Sequence, residues 1–145
     1  MTNPHLTEHA TNLAVRSYCD AMLWANTATM GADGRLDFHA IDLSTPIPDT
    51  LRDKARAAVL DFLNGINEEP DDGAGEDLLA DLRAYLDLRD ADDLGHDFAL
   101  SRNGHGAGFF DRDSGYRHLQ RWAKTFGSNT WQFDAATGEL SELEG

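Results

Sequence analysis

The chain is poor in cysteine, in positive charge and in long apolar runs, and each shortage closes off a class of protein. Its one cysteine, Cys19, has no internal partner, so no disulfide framework is available and a reducing compartment is expected. No apolar run approaches the ~20 residues that cross a bilayer. Met1 to Glu8 shows neither the basic nor the apolar part of a signal peptide, so the cytoplasm is the expected location. With 12 Lys and Arg against 26 Asp and Glu, the net charge is -14. Such a surface repels duplex nucleic acid and anionic membrane, and it attracts basic partners.

What remains is enough for one domain. The 145 residues suffice to bury a modest core without disulfides. Thr7 is placed to cap a first helix reaching Ala25, with Leu6, Ala10, Leu13, Ala14, Tyr18, Met22 and Ala25 as its apolar stripe. Leu36 to Leu43 reads as a short strand or docked loop. Asp49 or Thr50 caps a second helix, with Leu51, Ala55, Ala58, Val59, Phe62 and Leu63 inward and Gly65 as a left-handed cap. A loop over Glu68–Gly75 leads to a third helix, about Glu76 to Leu88, with Leu78, Leu79, Leu82, Tyr85 and Leu86 inward. A fourth runs from a Ser114 cap to Phe126, burying Tyr116, Leu119, Trp122, Ala123 and Phe126. Thr130–Phe133 and Glu139–Leu143 make a last hairpin, with Trp131 and Phe133 on one side.

The central stretch, Gly95 to Arg112, reads as a hairpin rich in Gly and His. Phe98 and Leu100 alternate with Asp97, Ala99 and Ser101, and Asn103-Gly104 favours a tight reversal. The expected architecture is therefore α+β, a single small domain over 1–145 with about four helices packed on antiparallel hairpins.

Charge is segregated along the chain. Residues 68–97 hold twelve carboxylates against Arg83 and Arg89, a balance of -10, whereas residues 98–126 carry +3. Arg117, Arg121 and Lys124 share one helical face within that basic stretch. The plain reading is a solvated acidic face. The sharper reading is a surface that stands in for phosphates, with Asp77, Asp81, Asp87, Asp90, Asp92 and Asp93 facing a partner. Duplex DNA carries one charge per ~1.7 Å, and Asp at i and i+4 repeats only every ~6 Å. One helix is too sparse by itself.

Within 95–112, His96, Asp97, His105 and Asp111 are the titratable candidates. A His beside an Asp can act as an oriented base, and Arg102 or Arg112 could hold an anionic substrate. Asn103 and His105 sit at the proposed turn and join Arg102 and Arg112 as partner-binding candidates. Structural ion pairs are the alternative for Asp97, Arg102, Asp111 and Arg112. The chain has no Walker loop or G-x-S-x-G elbow, and no H-x-x-x-H pair supports the histidines of 95–112, so no cofactor is implied and no metal site is expected.

Gly95-His96-Asp97-Phe98, Leu100, Arg102-Asn103-Gly104-His105-Gly106-Ala107-Gly108-Phe109 and Asp111-Arg112 together resemble a signature of small uncharacterised bacteriophage and mobile-element proteins. In those, tryptophan stands at the positions of Ala99 and Phe110. Tyr18–Asn26, Leu36-Asp37, Pro48–Phe62 and Lys124–Gly127 fall in matching order. The resemblance implies an accessory protein of a mobile element and raises an anti-defence role. Two functions are accordingly carried forward. The first is an acidic inhibitor, of anti-CRISPR or anti-restriction type, that blocks a basic nucleic-acid-binding surface of a host protein or nucleoprotein complex. The second is a small metal-assisted or acid–base hydrolase centred on 95–112.

Overall fold

A computed structural model describes residues 3–66, 74–104, 108–112 and 116–143. His105, the Ser114 cap and the acidic residues Glu68, Glu69, Asp71 and Asp72 lie outside the described residues, as does the side chain of Glu76. The elements are α1 (Glu8–Ala25), β1 (Thr27–Met30), β2 (Leu36–Phe38), α2 (Asp49–Asn64), α3 (Ala74–Leu88), α4 (Ala91–Arg102), a 3-10 turn (Phe109–Asp111), α5 (Arg117–Lys124), β3 (Thr130–Asp134) and β4 (Glu139–Leu143). The architecture is α+β, with five α-helices among the described residues where about four are expected.

The sheet is mixed. Its order is β2-β1-β3-β4; β1 pairs antiparallel with β2, β3 antiparallel with β4, and β1 parallel with β3. Two hairpins do occur, but the first is 27–38 rather than 95–112, and a parallel seam joins it to the second. Asn26 sets that seam beside the end of α1. Its carbonyl accepts from the Trp131 N–H at 3.1 Å, and its amide donates to the Asn129 carbonyl. Thr27 Oγ1 donates back to the Met22 carbonyl at 2.7 Å, so the first residue of β1 is tied to the last turn of α1.

Helix α4 takes the place of the strand expected from Gly95 onward. Asp90 caps it, accepting from the Asp93 N–H at 3.1 Å, and Asp92 and Asp93 lie in the first turn, where carboxylates suit the helix dipole. Asn103-Gly104 does end the element, with Gly104 at φ 75°, but the element it ends is helical. Asp97, Phe98, Ala99, Leu100 and Ser101 are all buried. A helix surrounded by protein has no polar face, so the Phe98–Leu100 alternation carried no information about pleating.

The amphipathic helices behave as their spacing predicts. Leu51, Ala55, Val59, Phe62 and Leu63 are buried on α2, and Leu79, Leu82 and Tyr85 on α3. Gly65 differs from expectation. It is right-handed at φ -75°, and its lack of a side chain serves close packing instead, since a Cβ would stand 2.9 Å from Trp122 Cη2 and nearer still to Cζ2. The Trp122 indole N–H donates to the Phe62 carbonyl at 2.9 Å, closing α5 on the end of α2.

The core centre is aromatic. Phe62 stacks on Phe98 at 4.3 Å between centroids and lies parallel to Phe109 at 5.8 Å. Tyr85 meets Phe109 and Tyr116 edge-on at 5.3 and 5.2 Å. Rings from α2, α3, α4, the 3-10 turn and the approach to α5 thus converge, in the offset and edge geometries that aromatic quadrupoles favour. Cys19 is buried, and burial pushes its thiol up to about 11, so it behaves as a small apolar filler.

Candidate functional site

Because α4 runs through the interior, several polar residues of the 95–112 stretch are turned into structure. Asp97 is 1% exposed and is held from two sides. The Tyr85 hydroxyl donates to Oδ2 at 2.6 Å, and Arg112 Nε donates to the same oxygen at 3.1 Å. Burial by itself would raise the Asp97 carboxyl; the neighbouring His96, Tyr85 and Arg112 outweigh it and hold the group below the usual carboxylate range. Burial and the facing carboxylate drive the Tyr85 phenol upward, so it stays a donor.

His96 lies one residue before this anchor, partly exposed, with Nδ1 3.6 Å from Asp97 Oδ1. That separation exceeds a hydrogen bond. Its ring sits 6.0 Å from that of Trp24, which is exposed on α1. Asp111 is exposed at the end of the 3-10 turn. The structure therefore joins Asp97 to Arg112 and Tyr85, brings His96 alongside, and leaves Asp111 outside the buried group. Tyr85 was read from the sequence only as a core residue. Nothing in its helical spacing reveals a carboxylate partner twelve residues on.

Arg102 and Asn103 are equally occupied. Arg102 Nε and Nη2 donate to the Gly127 and Phe126 carbonyls at 2.9 Å each, and Nη1 donates to the Tyr18 hydroxyl at 3.0 Å. Asn103 Nδ2 donates to the Ala99 carbonyl at 2.9 Å, while Oδ1 accepts from the Asn129 N–H at 2.7 Å. These two side chains fasten the end of α4 to the segment entering β3.

Ser101 makes the third tie. Its hydroxyl donates to Gln120 Oε1 at 2.6 Å and accepts from the Phe109 N–H at 3.0 Å. Gly108, at φ 100°, lets that segment approach closely, because a Cβ there would meet Ser101.

The acidic candidates divide by role. Asp81 points at α5, where its Oδ2 accepts from the His118 N–H at 2.9 Å and the Leu119 N–H at 3.3 Å. It supplies from another helix the cap that α5 lacks locally. Asp81→Ala should therefore lower unfolding free energy by about 1 kcal/mol, read as a lower urea midpoint, and Asp81→Asn should lower it less. Asp77→Ala, at an exposed site 4.0 Å from His118, should change the midpoint little. Equal effects of the two alanine variants would remove the capping role.

Asp77, Asp87, Asp90 and Asp92 are exposed and Asp93 half-buried, spread along α3 and round the corner into α4. Arg117, Arg121 and Lys124 are exposed on α5. Among the described residues, no three His, Cys, Asp or Glu side chains are grouped to hold a metal ion, and no helix is long and apolar enough to cross a membrane. No protein-family model, curated protein or solved structure matches the chain.

Proposed function

We propose that the chain is a binding protein of a phage or mobile element, acting in the bacterial cytoplasm. Its acidic flank occupies a basic, nucleic-acid-binding surface of a host defence complex. The observation that carries this reading is the exposure of Asp77, Asp87, Asp90 and Asp92 along α3 and the α3–α4 corner. None of these four forms an ion pair with Lys or Arg among the described residues. The span from Asp77 to Asp87 is ~15 Å of helix, sparser than a duplex. Charge accordingly supplies steering and sign discrimination, and exposed Trp24 and Phe110, on elements packed against α4, supply apolar anchors. Asp81 is excluded from the binding set, since its carboxylate caps α5.

The hydrolase alternative is weaker on the same geometry. Asp97 is engaged by Tyr85 and Arg112, so among the described residues its proton chemistry would fall to His96 and Asp111.

The test is expression of the chain in bacterial hosts that carry defined CRISPR or restriction systems, read as phage plating efficiency. One system is expected to be relieved. The triple variant Asp77→Lys, Asp87→Lys, Asp92→Lys should lose that relief while its unfolding free energy stays within about 2 kcal/mol of wild type, the charge reversed at Asp92 in the first turn of α4 accounting for most of the loss. Binding to the purified target should weaken steeply with salt and compete with its nucleic acid. Undiminished relief by a folded triple variant, or relief of no system, would overturn the proposal.

A further inference from the structure

A cleft of about 460 Å³ opens between α1, the 43–47 loop and the first turns of α2, away from every residue discussed so far as a partner-binding candidate. Its volume falls in the range of small-molecule sites, roughly 300–1,000 Å³. Three of the chain's 12 cationic residues line it: Arg16 from α1, and Arg52 and Arg56 from α2. Asp20 is the single carboxylate among the lining residues, so the cleft is locally cationic in a molecule of charge -14.

These arginines are not explained by pairing. Asp49 and Asp53 precede Arg52 and Arg56 by three residues, a spacing at which a helix can join opposite charges. Yet no carboxylate among the described residues lies within ion-pair distance of Arg16, Arg52 or Arg56. Arg56 Nη1 instead donates to the neutral Asn12 amide at 2.8 Å, which fixes its direction without neutralising it. Arg52 and Arg56, four apart, repel one another on one helix face, and Arg52 sits in the first turn, where the dipole disfavours a cation. All three side chains are exposed and hydrated, so their mutual repulsion is small. A fold short of positive charge nonetheless lines one cleft with three guanidiniums and gives none of them a carboxylate partner among the described residues. An anion in the cleft would supply that partner.

The 43–47 loop adds apolar Leu43, Pro46 and Ile47 to the lining, beside Ser44 and Thr45. We infer that this cleft binds a small organic phosphate, the arginines taking the phosphoryl oxygens and the apolar side chains of the 43–47 loop taking an uncharged, largely flat body, as in a nucleoside monophosphate. Guanidinium forks match phosphate oxygens in geometry and stay charged at any physiological pH. The ligand class follows from charge and size together. Inorganic phosphate would leave most of the cleft empty, and a nucleoside without phosphate would leave the arginines unpaired.

The inference is independent of the antagonist reading above. Its test is calorimetric titration of the full chain at low salt with adenosine monophosphate, inorganic phosphate, adenosine and succinate as probes. Adenosine monophosphate should bind more tightly than phosphate, and adenosine should not bind. Arg52→Gln with Arg56→Gln should weaken the nucleotide by about ten- to hundred-fold, with the circular dichroism spectrum and urea midpoint retained. Arg117→Gln with Arg121→Gln, on the other cationic face, should leave binding unchanged. No binding of adenosine monophosphate at millimolar concentration, equal binding by the Arg52/Arg56 variant, or preference for succinate over both phosphates would each overturn the inference.

Discussion

Replacing Gly95 by alanine should reduce folding stability by about 2 to 3 kcal/mol, although helix propensity alone would favour alanine there by about 1 kcal/mol. The two effects oppose each other, and the geometry decides between them. Gly95 is buried in α4 where that helix crosses α1. A Cβ at this position would stand 2.7 Å from the Ala14 carbonyl carbon, nearer still to its oxygen, and against Ser17 Oγ. A serine hydroxyl can rotate away. A backbone carbonyl moves only if one helix moves, and α1 and α4 both contribute to the aromatic and aliphatic core around Tyr18, Met22 and Phe98. Overpacking against backbone therefore exceeds the propensity gain. Urea denaturation of Gly95→Ala beside Gly104→Ala gives the comparison. At Gly104 a Cβ meets open space and only the positive φ is strained, so the loss should be near 1 kcal/mol. A Gly95→Ala midpoint at or above wild type would mean that the helices do not cross here.

The same residue explains why part of the fold was legible and part was not. Helices α1, α2 and α3 each present one face to the core, and their three- and four-residue apolar spacing gave their faces and approximate limits. The terminal hairpin was equally clear, from β-forming residues either side of Ala136-Thr137-Gly138. Helix α4 broke the scheme because it is central. With Asp97 and Ser101 buried beside Phe98 and Leu100, helical and strand periods become indistinguishable over five residues. The Gly95 that suggested a strand or turn is a crossing point, visible only once α1 is in place. Asn103-Gly104 correctly marked an ending, but that signal does not say what it ends. Strand β1 was missed for the opposite reason. Four residues, Thr27–Met30, follow α1 with a single intervening residue and carry too little pattern to separate from a helix tail.

The candidate sites were legible in composition and not in placement. Asp81 belonged to an acidic run, yet its carboxylate faces α5, which starts 36 residues later in sequence. Arg16 and Arg52 are as far apart, so their shared cleft leaves no trace in local charge. Segregation of charge along a chain constrains the field at long range. It does not say which carboxylates face solvent, because helix caps and buried pairs draw from the same supply.

Removing the Asp97 carboxylate should have the larger consequence of the polar substitutions, about 3 kcal/mol for Asp97→Ala. The loss has two sources. Arg112, 30% exposed, keeps part of its hydration when its partner goes, so its share stays at the low end for a broken pair. Tyr85 is fully buried and its hydroxyl would be left without an acceptor. Tyr85→Phe, which deletes only the donor, should cost less, about 1 kcal/mol. The pH dependence follows from the direction of the Asp97 shift. Its folded-state carboxyl lies below the unfolded value of about 3.9, so the folded protein binds fewer protons there than the unfolded chain does. The stabilisation is therefore complete above the unfolded value and disappears as pH falls through the folded one. The difference in unfolding free energy between wild type and Asp97→Asn should be constant from pH 7 to about pH 5 and shrink below pH 4. A difference that is flat down to pH 2, or that grows on acidification, would mean that Asp97 is not ionised against Arg112 in the folded state. The tie between α4, α3 and the 109–112 segment would then have to come from Ser101 and the aromatic rings alone.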